Sequence, residues 1–268
     1  MIHDNRLDYR NGIPIYDFDA FARTGLVKHG FTGRKGGVSG APFDTLNLGF
    51  TRPEPRGNVV ENYKRLCEAE GIAYDSLVLV SYVHGDGVAR VGASDAGRGF
   101  DRDPLPECDG IVTNTPGLTL VTLHADCLPV FLLDPVKKAI GLAHAGWKGT
   151  LARVGQKTAQ RMIEAFGCAP QDIIAGIGPC ICKRCFEVDE ALAGSFADEF
   201  NCTRKIDRGL PGKAWLDLAA CMEEQLMDAG IVRVYSMDAC TFEGRDLLFS
   251  HRRDKTGTGA MAAFITLI

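Results

Sequence analysis

Cys127 and His144 stand 17 positions apart, close to the ends of two short apolar runs: His124-Ala125-Asp126-Cys127-Leu128-Pro129 and Gly141-Leu142-Ala143-His144-Ala145-Gly146-Trp147-Lys148-Gly149. Apolar runs of this length read as buried strands, which deliver side chains to fixed places. A thiol and an imidazole presented in this way offer two chemistries. They are ligands of a metal ion, or a nucleophile and its base. A third candidate, His84, precedes Gly85 at the end of the run 77–83. Zinc takes imidazole nitrogen and thiolate sulfur, and a catalytic zinc keeps one position open. His84, Cys127 and His144 would supply three such ligands. The spacing is neither a helical HExxH nor a ribbon of paired CxxC motifs, so the residues alone also allow three side chains that merely cap strands.

Other groups invite similar scrutiny. Asp126, beside Cys127, is a candidate for proton transfer or for orienting a ligand, and equally for capping a turn through backbone amides. Cys182 and Cys185 form a CxxC pair. A structural zinc site wants a second pair, and none lies at a familiar spacing, so this segment reads as a loop lining the same cleft. The Gly-rich stretch 31–40 carries Arg34 and Lys35, whose neighbouring amides could hold an anion; a plain surface loop is the alternative. The run Ser250-His251-Arg252-Arg253-Asp254-Lys255 is either a solvated charge cluster or an oxyanion site, for which arginine is suited.

These groups need elements to hold them. Residues 59–71 have helical spacing and a natural stop at Gly71. Strands are expected over 77–83, 118–123, 130–133, 139–143, 173–177, 231–235 and 262–268, with a hairpin at Asp134-Pro135. Helices are expected over 150–166, 187–200 and 215–229, and a polar surface loop over 92–109. Strands occur both adjacent and separated by helices, which predicts one α/β domain over residues 1–268 with a mixed sheet.

The 268 residues suffice for a real core. A hydrophobic share of 46% and a charged share of 24% are those of an ordinary soluble protein. A net charge of −4 argues against a nucleic-acid coat. No targeting signal or membrane span is visible, so a cytoplasmic location is the default. Ten cysteines in this length are too dilute for a disulfide scaffold. Cys67, Cys168, Cys202, Cys221 and Cys240 read as scattered small residues.

Taken together, the motifs resemble the YfiH/YlmD-like laccase-domain family, also described as polyphenol oxidases. They are Phe31-Thr32-Gly33-Arg34-Lys35-Gly36-Gly37-Val38-Ser39, Leu46-Asn47-Leu48-Gly49, Val83-His84-Gly85, Ala125-Asp126-Cys127-Leu128-Pro129-Val130, His144-Ala145-Gly146-Trp147-Lys148-Gly149, Gly176-Ile177-Gly178-Pro179 and Arg252-Arg253-Asp254. They run in family order over nearly the whole chain. The resemblance implies layered mixed sheets with helices outside and a zinc ion held by His84, Cys127 and His144. It implies phosphorolysis of adenosine, inosine and methylthioadenosine, and deamination of adenosine. The partners would be purine nucleosides and phosphate, with no nucleic acid and no membrane. Arg34, Lys148, Arg252 and Arg253 are then the cationic candidates for phosphate, and Asn47 could bind ribose or hold its loop. Copper-dependent oxidation of phenols is the family's older description; editing of peptidoglycan precursors by a Cys127–His144 hydrolase is another alternative. A multicopper cluster needs many imidazoles, and six histidines, with His29, His124 and His251 as spare ligands, make a single zinc the simpler reading. Three positions depart from the family pattern: Tyr82 replaces a usual Gln, His124 a small hydroxyl residue, and Ala260 an Arg.

Overall fold

The computed structural model describes residues 1–201 and 211–268. Along the chain the elements are β1 (Ile2–His3), β2 (Arg6–Arg10), β3 (Ile13–Asp17), α1 (Asp19–Ala22), β4 (Val27–Thr32), α2 (Arg56–Glu70), β5 (Leu77–Leu79), β6 (Val88–Arg90), β7 (Gly110–Thr113), β8 (Thr119–His124), β9 (Leu128–Asp134), β10 (Ala139–Ala145), α3 (Trp147–Leu151), α4 (Val154–Phe166), β11 (Ile174–Ile177), β12 (Glu187–Asp189), α5 (Glu190–Glu199), β13 (Lys213–Trp215), α6 (Leu218–Asp228), β14 (Arg233–Ser236), α7 (His251–Asp254) and β15 (Met261–Leu267).

Two mixed sheets carry the fold. One has seven strands in the order β1-β14-β11-β9-β10-β7-β6, the other six in the order β2-β3-β4-β15-β8-β5. Their facing sides share one apolar layer, to which β9 and β10 give Phe131, Leu133, Ile140 and Leu142, and β15 gives Met261, Ala263 and Ile265. The alternate residues of β9, Leu128, Val130 and Leu132, turn the other way and pack with Met162 of α4 and Met222 of α6. Ala262 and Phe264 of β15 likewise turn outward to Val59, Tyr63 and Leu66 of α2. The result is four layers, helix–sheet–sheet–helix. Strands buried on both faces read as continuous apolar runs, which is why β9, β10 and β15 were plain in the sequence.

The expected hairpin forms between β9 and β10, with Asp134 opposite Ala139. The Asp134 carboxylate caps its turn by accepting from the amides of Val136 and Lys137. Helix α2 stops at Gly71, which takes φ 59°.

Four elements differ from the sequence reading. The helix expected over 150–166 is two helices, because Arg153 adopts φ 62° and its guanidinium reaches out to Glu199 and Asp228. The first residues of the other two expected helices are strands: Glu187–Asp189 pairs antiparallel with Lys213–Trp215. Helix α6 then starts after Asp217, whose side chain accepts from the Ala220 amide. The strand from Leu77 stops at Leu79, and residues 80–87 belong to the site. No helix among the described residues is long and apolar enough to cross a membrane.

Candidate metal centre

The two sheets meet in the turn between β8 and β9. β8 belongs to the six-stranded sheet and β9 to the seven-stranded one, so residues 125–127 cross from one to the other. Asp126 makes that crossing with φ 92°. Its carboxylate accepts from the Thr241 hydroxyl at 2.6 Å and from the Arg252 amide at 2.6 Å, and its carbonyl from the Ile181 amide. Asp126 thus binds three distant segments to the turn and aims the next residue, Cys127.

His144 lies at the end of β10, fully inside the molecule, and His84 comes from the loop after β5 with φ 59°. The ligand atoms of His84, Cys127 and His144 lie within 4.8 Å of one another. Asp109 fixes two of the three. Its carboxylate accepts from His144 Nδ1 at 2.9 Å and from the amides of Val83, His84 and Gly85 at 3.1, 3.0 and 2.7 Å. Its carbonyl also accepts from the His144 amide. Burial opposes ionisation of Asp109, but the His144 bond and the Gly85 and Val83 amides outweigh it and hold the carboxyl below its ordinary range. A carboxylate on the outer nitrogen of a ligating histidine fixes its tautomer and orientation.

Burial would push the Cys127 thiol up, yet His144 and His84 bring it below the ordinary cysteine value. For His144 burial acts downward, and Cys127 and Asp109 reverse it. Each group thus favours the charged form of the other, a charge arrangement that a cation can take over from the proton.

The donor set fits zinc, which is bound by imidazole nitrogen and thiolate sulfur. Space is kept as well. A Cβ on Gly146 would stand 3.0 Å from His84 Cδ2 and 3.2 Å from Cys127 Sγ. Gly146→Ala is therefore expected to push these ligands apart and weaken zinc binding severalfold without unfolding the chain, as checked by competition with a chromogenic chelator.

The three ligands line a cavity of about 470 Å³. Tyr82, Trp147 and Phe186 supply aromatic walls, and Arg52, His251 and Arg252 supply polar ones. Tyr82, His124 and Ala260, the three positions expected to depart from the family pattern, all lie on this lining. His124 is not a further ligand. Its Nδ1 donates to the Cys127 carbonyl at 3.0 Å, so Nε2 accepts from the Thr122 hydroxyl at 2.7 Å.

The cationic candidates separate. Arg252 lines the cavity, with its guanidinium over the Phe186 ring and one bond to the Glu187 carbonyl. Lys148 is exposed beside Trp147 and outside the lining. Arg253 uses its guanidinium on the carbonyls of Thr241, Phe242 and Leu248 and on Asp254. Arg34 stacks on Phe249 and bonds the Asp44 carbonyl. Asn47 is fully buried, accepting from the Gly49 and Ala260 amides and donating to the Gly49 carbonyl and Glu54. Arg34, Asn47 and Arg253 hold loops and do not line the cavity. Sequence reasoning missed Asp109, assigned to a surface loop but fully buried. It also missed Arg52, whose Nε is buried without a partner. Neither carries a motif or spacing that would have marked it.

The family described as multi-copper polyphenol oxidoreductase laccase matches residues 28–268. The chain belongs to this laccase-domain family. A purine nucleoside phosphorylase of Deinococcus radiodurans is 39% identical over 241 residues, covering 90% of this chain and 89% of its own. The purine nucleoside phosphorylase YlmD of Bacillus subtilis is 34% identical over 88% of this chain and 87% of its own. Among solved structures, the hypothetical protein YfiH of Bacillus licheniformis superposes with a TM-score of 0.90 at 32% identity, covering 98% of this chain and 99% of that one. YlmD of Geobacillus stearothermophilus gives a TM-score of 0.85 at 34% identity, over 90% of this chain and 92% of that one. The expected architecture of layered mixed sheets with outer helices is thus that of the family.

Proposed function

We propose that this laccase-domain protein is a zinc-dependent purine nucleoside enzyme that phosphorolyses adenosine, inosine and methylthioadenosine and deaminates adenosine. The observation that carries the proposal is the opening of the His84–Cys127–His144 cluster into a cavity walled by aromatic rings and arginines. The names of the relatives point the same way. Flat aromatic walls suit a purine, and Tyr82, Trp147 and Phe186 provide them. Of the expected phosphate candidates Arg34, Lys148, Arg252 and Arg253, Arg252 lines the cavity, and with Arg52 on the same lining it would hold phosphate. In phosphorolysis a phosphate oxygen bonds to the ribose C1′ as the bond to the base nitrogen breaks, and the departing base takes up a proton. His84, Cys127 and His144 would hold a zinc ion, which would supply Lewis-acid charge. Asp109 keeps His144 in the tautomer that presents its inner nitrogen, and Asp126 keeps Cys127 in place.

The test is metal analysis of the purified protein, followed by product identification with adenosine in the presence and absence of phosphate. Adenine formed only with phosphate reports phosphorolysis, inosine reports deamination, and hypoxanthine reports both in sequence. Turnover that survives complete metal removal but dies on thiol alkylation would replace this proposal with the Cys127–His144 hydrolase.

A further inference from the structure

Behind the cavity wall a second set of ligands converges. Among the described residues, Cys182, Cys185, Cys240 and Glu243 place one ligand atom each within 4.8 Å of one another. Cys240 was read above as a scattered thiol, and the CxxC pair as lacking a mate; Cys240-Thr241-Phe242-Glu243 is that mate. Each pair spans one tight turn. The Cys185 and Phe186 amides donate to the Cys182 carbonyl, and the Gly244 amide donates to the Cys240 carbonyl. Two donors three residues apart on each of two turns is the way protein chains commonly present a tetrahedral set.

The turns are also locked to each other. The Cys180 amide donates to the Ala239 carbonyl and the Thr241 amide to the Cys180 carbonyl, both at 3.1 Å. The Cys182 amide donates to Cys240 Sγ at 3.4 Å. All three cysteines are free and half-buried. Glu243 sits at the rim, where Arg184 Nη2 approaches both its oxygens at 3.2 and 3.0 Å. Cys185 Sγ stands 3.6 Å from one of them. Three sulfurs and one carboxylate at this separation form a soft, closed donor set, the type that selects zinc-like divalent ions.

We propose that Cys182, Cys185, Cys240 and Glu243 form a second, structural site for a thiophilic divalent cation of the zinc class. The ion would staple the segment 180–186 to the segment 239–243. Both segments build the cavity: Ile181 and Phe186 line it, and Thr241 bonds Asp126. The inference rests on these residues alone and does not depend on the nucleoside reading.

The experiment uses the full chain reconstituted with zinc, and with cobalt(II) as a spectroscopic probe. The wild type should hold about two ions per chain, and Cys127→Ala and the double variant Cys182→Ser/Cys185→Ser about one each, as separate structural and catalytic sites require. Cobalt-loaded Cys127→Ala should keep a strong thiolate-to-cobalt charge-transfer band, which reads the second site with its ligands intact even if the double variant does not fold. Loss of the last ion from Cys127→Ala, absence of that band, or a disulfide among Cys182, Cys185 and Cys240 in freshly purified protein would overturn the proposal. An ion kept by Cys127→Ala but lost from the double variant would support the second site while counting against the first.

Discussion

Cys127→Ala is expected to remove the cavity metal and nucleoside turnover together. Cys127 supplies the only sulfur among the three clustered ligands, and two imidazoles alone are a poor zinc site. The loss should exceed the 10–100-fold typical of removing a partner outside the ligand shell, roughly 100-fold or more in kcat/KM. The fold should survive. The turn 125–127 is held by the side chain and carbonyl of Asp126 and by the Cys127 carbonyl that accepts from His124, none of which needs the thiol. Zinc content, circular dichroism, and adenosine turnover with and without phosphate measure the three parts. Full retention of zinc and turnover would sink the assignment of the site.

The candidate ligands were legible because of where they stand. β8, β9 and β10 are buried on both faces, so their apolar runs are continuous, and the polar residues that end them, Cys127 and His144, stand out. His84 was found for a partly wrong reason. The strand expected to present it ends at Leu79, and the Asp109 carboxylate holds the loop instead. Asp109 was invisible because its role is set by contacts 24 to 35 residues away in the chain, and a lone Asp before Gly reads as a turn. The pairing of Cys182 with Cys240, 58 residues apart, was hidden for the same reason. Asn47, Arg34 and Arg253 show the opposite difficulty. Polar residues in Gly-rich segments look alike whether they bind ligand or satisfy buried backbone groups, and only their hydrogen bonds tell these roles apart.

The three positions expected to depart from the family pattern also fall together. Tyr82, His124 and Ala260 are far apart in sequence but share the cavity lining. The candidate metal ligands His84, Cys127 and His144 match the residues that the family resemblance implies. Tyr82 packs on His144, with ring centroids 4.7 Å apart, and His124 packs on the same His144 ring at 5.3 Å. Ala260 leaves the wall without a cation at its own position, and Arg52 stands on the same lining. The three positions therefore fall on the cavity side of the cluster, where the proposed nucleoside would lie.

Asp109→Asn should weaken zinc binding about 10–100-fold, with kcat/KM falling in proportion at limiting zinc. One oxygen of Asp109 serves the His84 amide and His144 Nδ1, and the other serves the Val83 and Gly85 amides. Asparagine can accept on one side only, so its NH2 must face two donors. If it faces Val83 and Gly85, the loop carrying His84 comes loose. If it faces His144, the imidazole must rotate or change tautomer, and its inner nitrogen is lost to the metal. Either way two donors lose their acceptor, and where the lost donor is the buried His144 Nδ1 the cost is about 1–3 kcal/mol, so a lower urea midpoint should accompany the change. A purely structural role would lower stability and leave zinc affinity alone. The discriminating measurement is therefore kcat as a function of zinc concentration: excess zinc should restore turnover in Asp109→Asn but not in Cys127→Ala. Wild-type zinc affinity in Asp109→Asn would show that the carboxylate does not position the ligands.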